Sequence, residues 1–155
     1  MNTLDVLIGD SPVFDGLAPA YLELVAGCAR TTGFEAGEYL FREGDRADTF
    51  YLVRHGRVGI ETMVAGRGAL TVETVDAGGV VGWSWLFRPF RWHFDARAVD
   101  PVRAIAFDGA CLRGKCEADH ELGYELMKRF AQVIIARLQA TRLRLLDVYG
   151  VGAPA

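Results

Sequence analysis

The spacing of apolar side chains changes twice along the chain and divides it into three parts. From Leu17 to Ala29 apolar residues recur at helical spacing, with Pro19 near the start, where a missing N–H costs least. After Gly33 the period becomes two, which is typical of half-buried strands. From His120 the spacing is helical again. This order predicts a mainly β domain with flanking α-helices.

Glycine-containing turns such as Gly44-Asp45 and His55-Gly56 separate the strand-sized runs. Many short strands at this spacing predict a sandwich or barrel. The predicted strands are Tyr39–Arg42, Thr49–Arg54, Arg57–Val64, Ala69–Val75, Phe94–Val99 and Arg103–Phe107. Because no strand–helix–strand repeat is present, the pattern does not favour a doubly wound dinucleotide-binding sheet.

The segment from His120 to Tyr149 has no proline and no long polar break, which predicts one long helix with two apolar stripes. One stripe is expected to pack against the β domain; it comprises Leu122, Leu126, Phe130 and Val133. The other steps by 4 and 3 as an a/d seam of Met127, Ala131, Ile134, Leu138, Thr141, Leu145 and Val148. Two stripes imply two partners, so the seam predicts a parallel homodimer; the alternative is a helix that wraps only its own domain. The polar Thr141 either fixes the register or faces a ligand pocket.

The composition suits one domain, since 155 residues with 51% hydrophobic content can build one sizeable core. We divide the chain into the β domain 1–119, the helix 120–149 and a tail 150–155. A net charge of -3 argues against a protein that coats nucleic acid or an anionic membrane. The chain has no basic leader and no apolar run long enough to span a bilayer, so neither secretion nor membrane insertion is expected.

The three cysteines, Cys28, Cys111 and Cys116, are few and irregularly spaced, which predicts reduced thiols and a cytoplasmic location. Together with His120, the last two have a spacing that offers three metal ligands, but no fourth ligand is evident and we expect no metal site. No histidine is placed with a serine or cysteine as a nucleophile and its base, so the sequence predicts no catalytic residues and no enzyme.

Two stretches, Gly37–Asp45 and Phe50–Val58, resemble the cyclic-nucleotide-binding domain of catabolite-activator-type (Crp/Fnr-like) regulators. The resemblance extends through Gly78–Gly82 and 96–98, and resumes at Arg137–Thr141. It implies a double-stranded β-helix, or jelly-roll, with a phosphate-binding cassette, followed by a long dimerisation helix that closes over the ligand. In DNA-binding members a helix-turn-helix domain follows that helix, whereas this chain stops soon after Tyr149, so we expect a stand-alone form that does not bind DNA directly.

In the family, an arginine of the cassette neutralises the cyclic phosphate and a glutamate after a glycine accepts from the ribose hydroxyl. Alignment at Gly82 puts Trp83 at the glutamate position, and counting back from Arg97 puts Trp92 or His93 at the arginine position. A tryptophan offers one donor and no acceptor, so it replaces neither anchor. Thr141 matches the threonine that contacts the base in the family.

Two interpretations of this aromatic cassette remain open. In one it lines a changed pocket, where a planar group stacks on Trp83, Trp85 or Trp92. An acidic group of the same ligand is then held by Arg88, Arg91 or His93. In the other the aromatics fill the pocket or form a docking surface for a protein partner. The ligand-pocket candidates are Gly82, Trp83, Ser84, Arg88, Arg91, Trp92, His93 and Thr141.

The sequence therefore predicts a non-enzymatic regulatory or sensor module that either binds a nucleotide or other small anionic ligand or docks on a partner protein. The alternatives are a true receptor for cAMP or cGMP with a rearranged pocket, and an accessory subunit of a larger cytoplasmic redox assembly.

Overall fold

The computed structural model describes residues 3–150, which form two packed four-stranded antiparallel sheets with helices at both ends of the chain. The helices are α1 (Thr3–Gly9), α2 (Pro19–Ala26), α3 (Gly109–Ala118) and α4 (His120–Val148). The strands are β1 (Ala29–Phe34), β2 (Tyr39–Phe41), β3 (Thr49–His55), β4 (Val58–Val64), β5 (Gly68–Val75), β6 (Val80–Val81), β7 (Asp95–Ala98) and β8 (Val102–Asp108). A short 3-10 turn, Ser84–Leu86, lies between β6 and β7.

One sheet has the strand order β1-β8-β3-β6 and the other β2-β7-β4-β5. The antiparallel jelly-roll predicted from the sequence and its resemblance is confirmed, with the long C-terminal helix following it. Of the predicted tail 150–155, residues 151–155 lie outside the described residues.

Two apolar clusters stabilise the roll. One lies between the sheets and contains inward-facing residues of β3, β4, β7 and β8, such as Val53, Val58, Ala96 and Ala104. The other joins the first sheet to the helices. Its largest fully buried side chains include Trp85, Phe50, Phe107 and Phe130, with ring centroids of neighbouring pairs 4.6 to 5.3 Å apart. The 3-10 turn and α4 are therefore anchored in the same core.

The first half of α4 packs on this core as its apolar stripe predicts. Asp119 caps the helix by accepting from the backbone N–H groups of Glu121 and Leu122. Leu122, Leu126 and Phe130 are fully buried. From Leu138 to Gly150 every residue is exposed, so the seam along the second half of the helix is uncovered in the single chain.

The prediction of reduced thiols is wrong for two of the three cysteines, because Cys28 and Cys111 form a disulfide. Cys28 immediately precedes β1, Cys111 lies in the first turn of α3, and pairing of β1 with β8 brings their Cα atoms to 5.8 Å. A sequence separation of 83 residues gives no local signal for this pair. Cys116 is free and half-buried, and burial raises the pKa of its thiol. The cytoplasmic location remains a prediction.

Other differences concern elements that the apolar pattern does not reveal. The first predicted helix is shorter than expected and ends at Ala26, and α1, β1, β6 and α3 were not predicted. The disulfide occupies the sulfur of Cys111, so it cannot join Cys116 and His120 as a metal ligand. Within residues 3–150 no cluster of three potential ligands is found.

Candidate functional site

A cavity of about 410 Å³ lies between the roll and α4. Its lining is mainly apolar and aromatic, and it joins four parts of the chain: the end of β2, the hairpin of β4 and β5, the segment between β6 and β7, and the middle of α4. The lining residues are Phe41, Ile60, Val72, Glu73, Gly82, Trp83, Ser84, Trp92, His93, Phe94, Ile134, Arg137, Leu138 and Thr141. A volume of this size is typical of a small-molecule site.

Trp92 forms one wall of the cavity. Its ring stacks on Phe41 with centroids 3.9 Å apart and only 5% of the residue is exposed. Gly82, with a φ of +97°, lies against the far edge of the indole, where a β-carbon would collide with the ring. The cassette glycine therefore makes room for a tryptophan, and Trp92 lines the cavity without filling it.

Arg137 of α4 contributes a guanidinium group to the lining of the cavity. Its Nε lies 3.2 Å from an Oε of Glu73 on β5, and one terminal nitrogen donates to the carbonyl oxygen of Val80. The guanidinium also lies over the ring of Trp83, at 5.1 Å from the centroid. Burial lowers the pKa of Arg137, an effect that the Glu73 carboxylate opposes. This cluster connects α4 to both the second sheet and the cassette.

Six of the eight pocket candidates line the cavity, namely Gly82, Trp83, Ser84, Trp92, His93 and Thr141. Thr141 follows Arg137 by one helical turn and donates its hydroxyl hydrogen to the Arg137 carbonyl oxygen at 2.9 Å. The sequence placed these residues together only through the resemblance, since local spacing does not bring the cassette to the helix.

Arg88 and Arg91 do not line the cavity; both side chains are exposed. Backbone bonds pair Trp92 with Gly44 and Asp45, which directs the Trp92 ring inward. Arg91, the preceding residue, points outward and donates to the carbonyl oxygen of Gly44 at 3.3 Å. The expectation that one of these arginines holds a ligand anion in the pocket is therefore not supported by their positions.

Trp85 is a core residue and takes no part in the cavity. It is fully buried, with its ring stacked on Phe50 at 4.6 Å and edge-to-face with Phe130 at 5.3 Å. The idea that Trp85 stacks a ligand is wrong, because the 3-10 turn directs its side chain into the cluster under α4.

The sequence reasoning missed Arg137 and Glu73 as pocket residues and treated Ile134 and Leu138 only as members of the seam. A signal for Arg137 was present, since it precedes Thr141 by four residues and so shares its helix face. Glu73 had no comparable signal, because its position depends on the pairing of β5 with β4.

Arg97 on β7, which is not part of the cavity lining, already forms an ion pair with a carboxylate. Arg97 contacts the buried Glu61 on β4, with N and O atoms 3.0 Å apart. Asp95, buried in the same strand, accepts from the backbone N–H of Glu43 at 2.7 Å and from Arg42 at 3.3 Å. These pairs connect the second sheet to its loops, and neither Arg97 nor Arg42 lines the cavity.

Among the helices within residues 3–150, none is long and apolar enough to cross a membrane.

Comparisons with known proteins agree with this architecture. Residues 31–119 match the family model described as "Cyclic nucleotide-binding domain". A "CRP-like cAMP-activated global transcriptional regulator" of Mycobacterium tuberculosis is 22% identical over 151 residues, which cover 97% of this chain and 66% of that protein. The chain thus spans slightly less than two thirds of this curated relative.

Two solved structures show the same fold. A protein of Geobacter metallireducens GS-15, provisionally named as cyclic nucleotide-binding, is 30% identical with a TM-score of 0.79, over 89% of this chain and 99% of its own. The regulatory domain of Toxoplasma gondii PKA, solved with cAMP, is 20% identical with a TM-score of 0.68, over 83% of this chain and 49% of its own. At that lower identity the likeness concerns the fold alone.

Proposed function

The chain belongs to the cyclic nucleotide-binding domain family, and we propose that it is a non-enzymatic sensor whose ligand occupies the cavity between roll and α4 without the family's usual polar anchors. Ligand binding would change the position of α4, and the paired helices of a homodimer would transmit this change to the second subunit.

The observation that carries this proposal is the shared lining of the cavity. Trp83 and Trp92 come from the cassette, whereas Arg137 and Thr141 come from α4. A ligand in this position contacts both parts at once, so its affinity depends on where the helix lies. Any ligand that binds one helix position more tightly shifts the population towards it.

The cassette itself argues against the usual mode of cyclic-nucleotide binding. The family resemblance assigns the ribose-binding glutamate to Trp83 and the phosphate-binding arginine to Trp92. Trp92 is buried on Phe41, and neither indole accepts a hydrogen bond or neutralises a phosphate. Loss of a charge-assisted phosphate pair costs on the order of 1.5–3 kcal/mol.

The exposed a/d seam of α4 supports the proposal that the protein acts through a homodimer. Met127, Leu138, Leu145 and Val148 are 43%, 59%, 55% and 80% exposed in the single chain. Apolar side chains at heptad spacing are expected to be covered by a second copy of the helix. Because Ile134 and Leu138 belong to both the seam and the cavity lining, occupancy of the cavity and helix pairing would affect each other.

The segment between β6 and β7 supports a second candidate function, docking on a partner protein. Phe87 is 43% exposed, and Arg88 and Arg91 lie on the same outward loop. Aromatic and arginine side chains of this kind are enriched at protein interfaces. These residues are distinct from those that line the cavity, so docking and sensing can occur in one molecule.

The sensor proposal is tested by blocking the cavity. We expect indole, a neutral planar probe, to give saturable heat with the wild-type protein in a calorimetric titration, since Trp83 and Trp92 line the cavity and can stack on it. In Thr141→Trp the new side chain occupies the cavity, so the apparent indole affinity should fall by at least about tenfold. The measurement is isothermal titration calorimetry of both proteins at equal concentration.

The matched control is Gln139→Trp, which adds the same side chain to an exposed position of α4 outside the lining. It should retain the wild-type affinity for indole. Equal indole affinities in the wild type and Thr141→Trp would refute a ligand site at this place, as would a wild-type protein that binds neither indole nor indole-3-acetate.

A further inference from the structure

The polar groups of the cavity are few, and two of them are already paired with each other. Glu73 and Arg137 form the ion pair, and the other polar side chains of the lining are Ser84, His93 and Thr141. The rest of the lining is apolar or aromatic. A ligand with polar atoms on every side would lose hydration without gaining partners, which disfavours a ribose phosphate and favours a compact apolar body with one polar group.

Arg137 has unused donors. A guanidinium carries five N–H groups. Nε contacts Glu73 and one terminal nitrogen donates to Val80, whereas the structure gives the other terminal nitrogen no protein acceptor within residues 3–150. The side chain is only 13% exposed, and the residue lines the cavity. An anion in the cavity would satisfy these donors in a geometry that suits a carboxylate.

Glu73 limits how much negative charge the cavity accepts. Its carboxylate compensates one positive charge on Arg137, so a second anion must share the same guanidinium. A single carboxylate can do so, whereas a doubly charged group would meet strong repulsion at this short distance. The position of Glu73, with 27% of its side chain exposed, also lets it turn towards solvent when a ligand takes its place.

The aromatic walls define the body of the ligand. Trp83 lies beneath the guanidinium, and the stacked pair of Trp92 and Phe41 forms another wall. Flat π-systems stack favourably on such faces. Building on the sensor function proposed above, we infer that the ligand is a flat aromatic monocarboxylate whose carboxylate is bound by Arg137 and whose ring lies between Trp83 and Trp92.

The test compares three probes of one shape and different charge: indole-3-acetate, indole-3-acetamide and tryptamine, titrated calorimetrically into the full chain. The acetate should bind at least about tenfold more tightly than the amide, and the amine should bind most weakly. Equal or tighter binding of the amide would overturn the assignment of a carboxylate.

Variants of the ion pair make the test specific. Glu73→Gln removes the competing carboxylate, so the affinity for indole-3-acetate should rise several-fold. Arg137→Gln should abolish the preference for the acetate over the amide. Arg142→Gln, at an exposed position of the same helix outside the cavity, is the control and should behave as wild type. Weaker acetate binding in a folded Glu73→Gln protein would overturn the inference even where Arg137→Gln fails to fold.

Failure of the carboxylate assignment can be distinguished from failure of the proposed sensor function. If indole binds in the cavity but the affinities of the three probes do not decrease from acetate to amide to amine, the sensor proposal stands and the carboxylate class is wrong. If neither indole nor the three probes bind, both are wrong.

Discussion

Replacement of Trp85 by alanine is expected to lower the free energy of unfolding by about 3–5 kcal/mol, the range for a large buried aromatic side chain. Trp85 is fully buried, and its ring contacts both Phe50 of β3 and Phe130 of α4. Its loss would leave a cavity where the 3-10 turn, the first sheet and the long helix meet. Chemical denaturation followed by circular dichroism measures the difference.

Trp83→Ala is the matched comparison, because it deletes the same side chain two residues earlier. Trp83 is half-buried, lines the ligand cavity and contacts Arg137, so we expect a smaller loss of about 1–2 kcal/mol, together with weaker indole binding. The two tryptophans should thus separate stability from ligand binding. Comparable losses of stability in both variants would contradict the assignment of Trp85 to the core and Trp83 to the cavity.

The second large effect is expected at the exposed seam of α4. Leu145→Glu would place two carboxylates opposite each other in a parallel homodimer and should raise its dissociation constant by at least about a hundredfold. Light scattering at micromolar concentration should then change from twice the chain mass of 17.0 kDa to that mass itself. Leu145 is preferred to Ile134 or Leu138, since those two residues also line the cavity.

Leu143→Glu provides the control for this variant. Leu143 is 64% exposed and lies on the opposite side of the helix from the a/d positions, so the same substitution should leave the dimer intact. Dissociation by both variants would indicate a general effect on the helix. A wild-type protein that is already monomeric, or a Leu145→Glu protein of unchanged mass, would refute the seam.

The parts of the fold that were predictable have strong local patterns. The alternating runs around His55-Gly56 gave β3 and β4, and the two stripes of 120–149 gave α4. β1 was missed because Ala29–Phe34 is an edge strand with no fully buried residue and therefore no clear alternation. α3 was missed because it contains Gly109 and Gly114 and has only one large buried side chain, Leu112.

The site was less predictable because its geometry depends on pairing between distant segments. The resemblance located Gly82, Trp92 and Thr141 together, but whether Arg91 or Trp92 faces inward is decided by backbone bonds to 44–45. The partnership of Arg137 with Glu73 requires β5 to lie under α4, which no local spacing encodes. The disulfide of Cys28 and Cys111 depends in the same way on the pairing of β1 with β8.

Our central proposal is that the cavity between the roll and α4 binds an aromatic carboxylate in place of a cyclic phosphate. The most direct measurement is a calorimetric titration of the full chain with cAMP and cGMP, run beside the same titration with indole-3-acetate. We expect saturable heat with indole-3-acetate and no heat with either nucleotide up to roughly 1 mM, an affinity limit of about -4 kcal/mol. Micromolar binding of cAMP or cGMP would contradict the claim and would identify the chain as a cyclic-nucleotide receptor with a rearranged pocket.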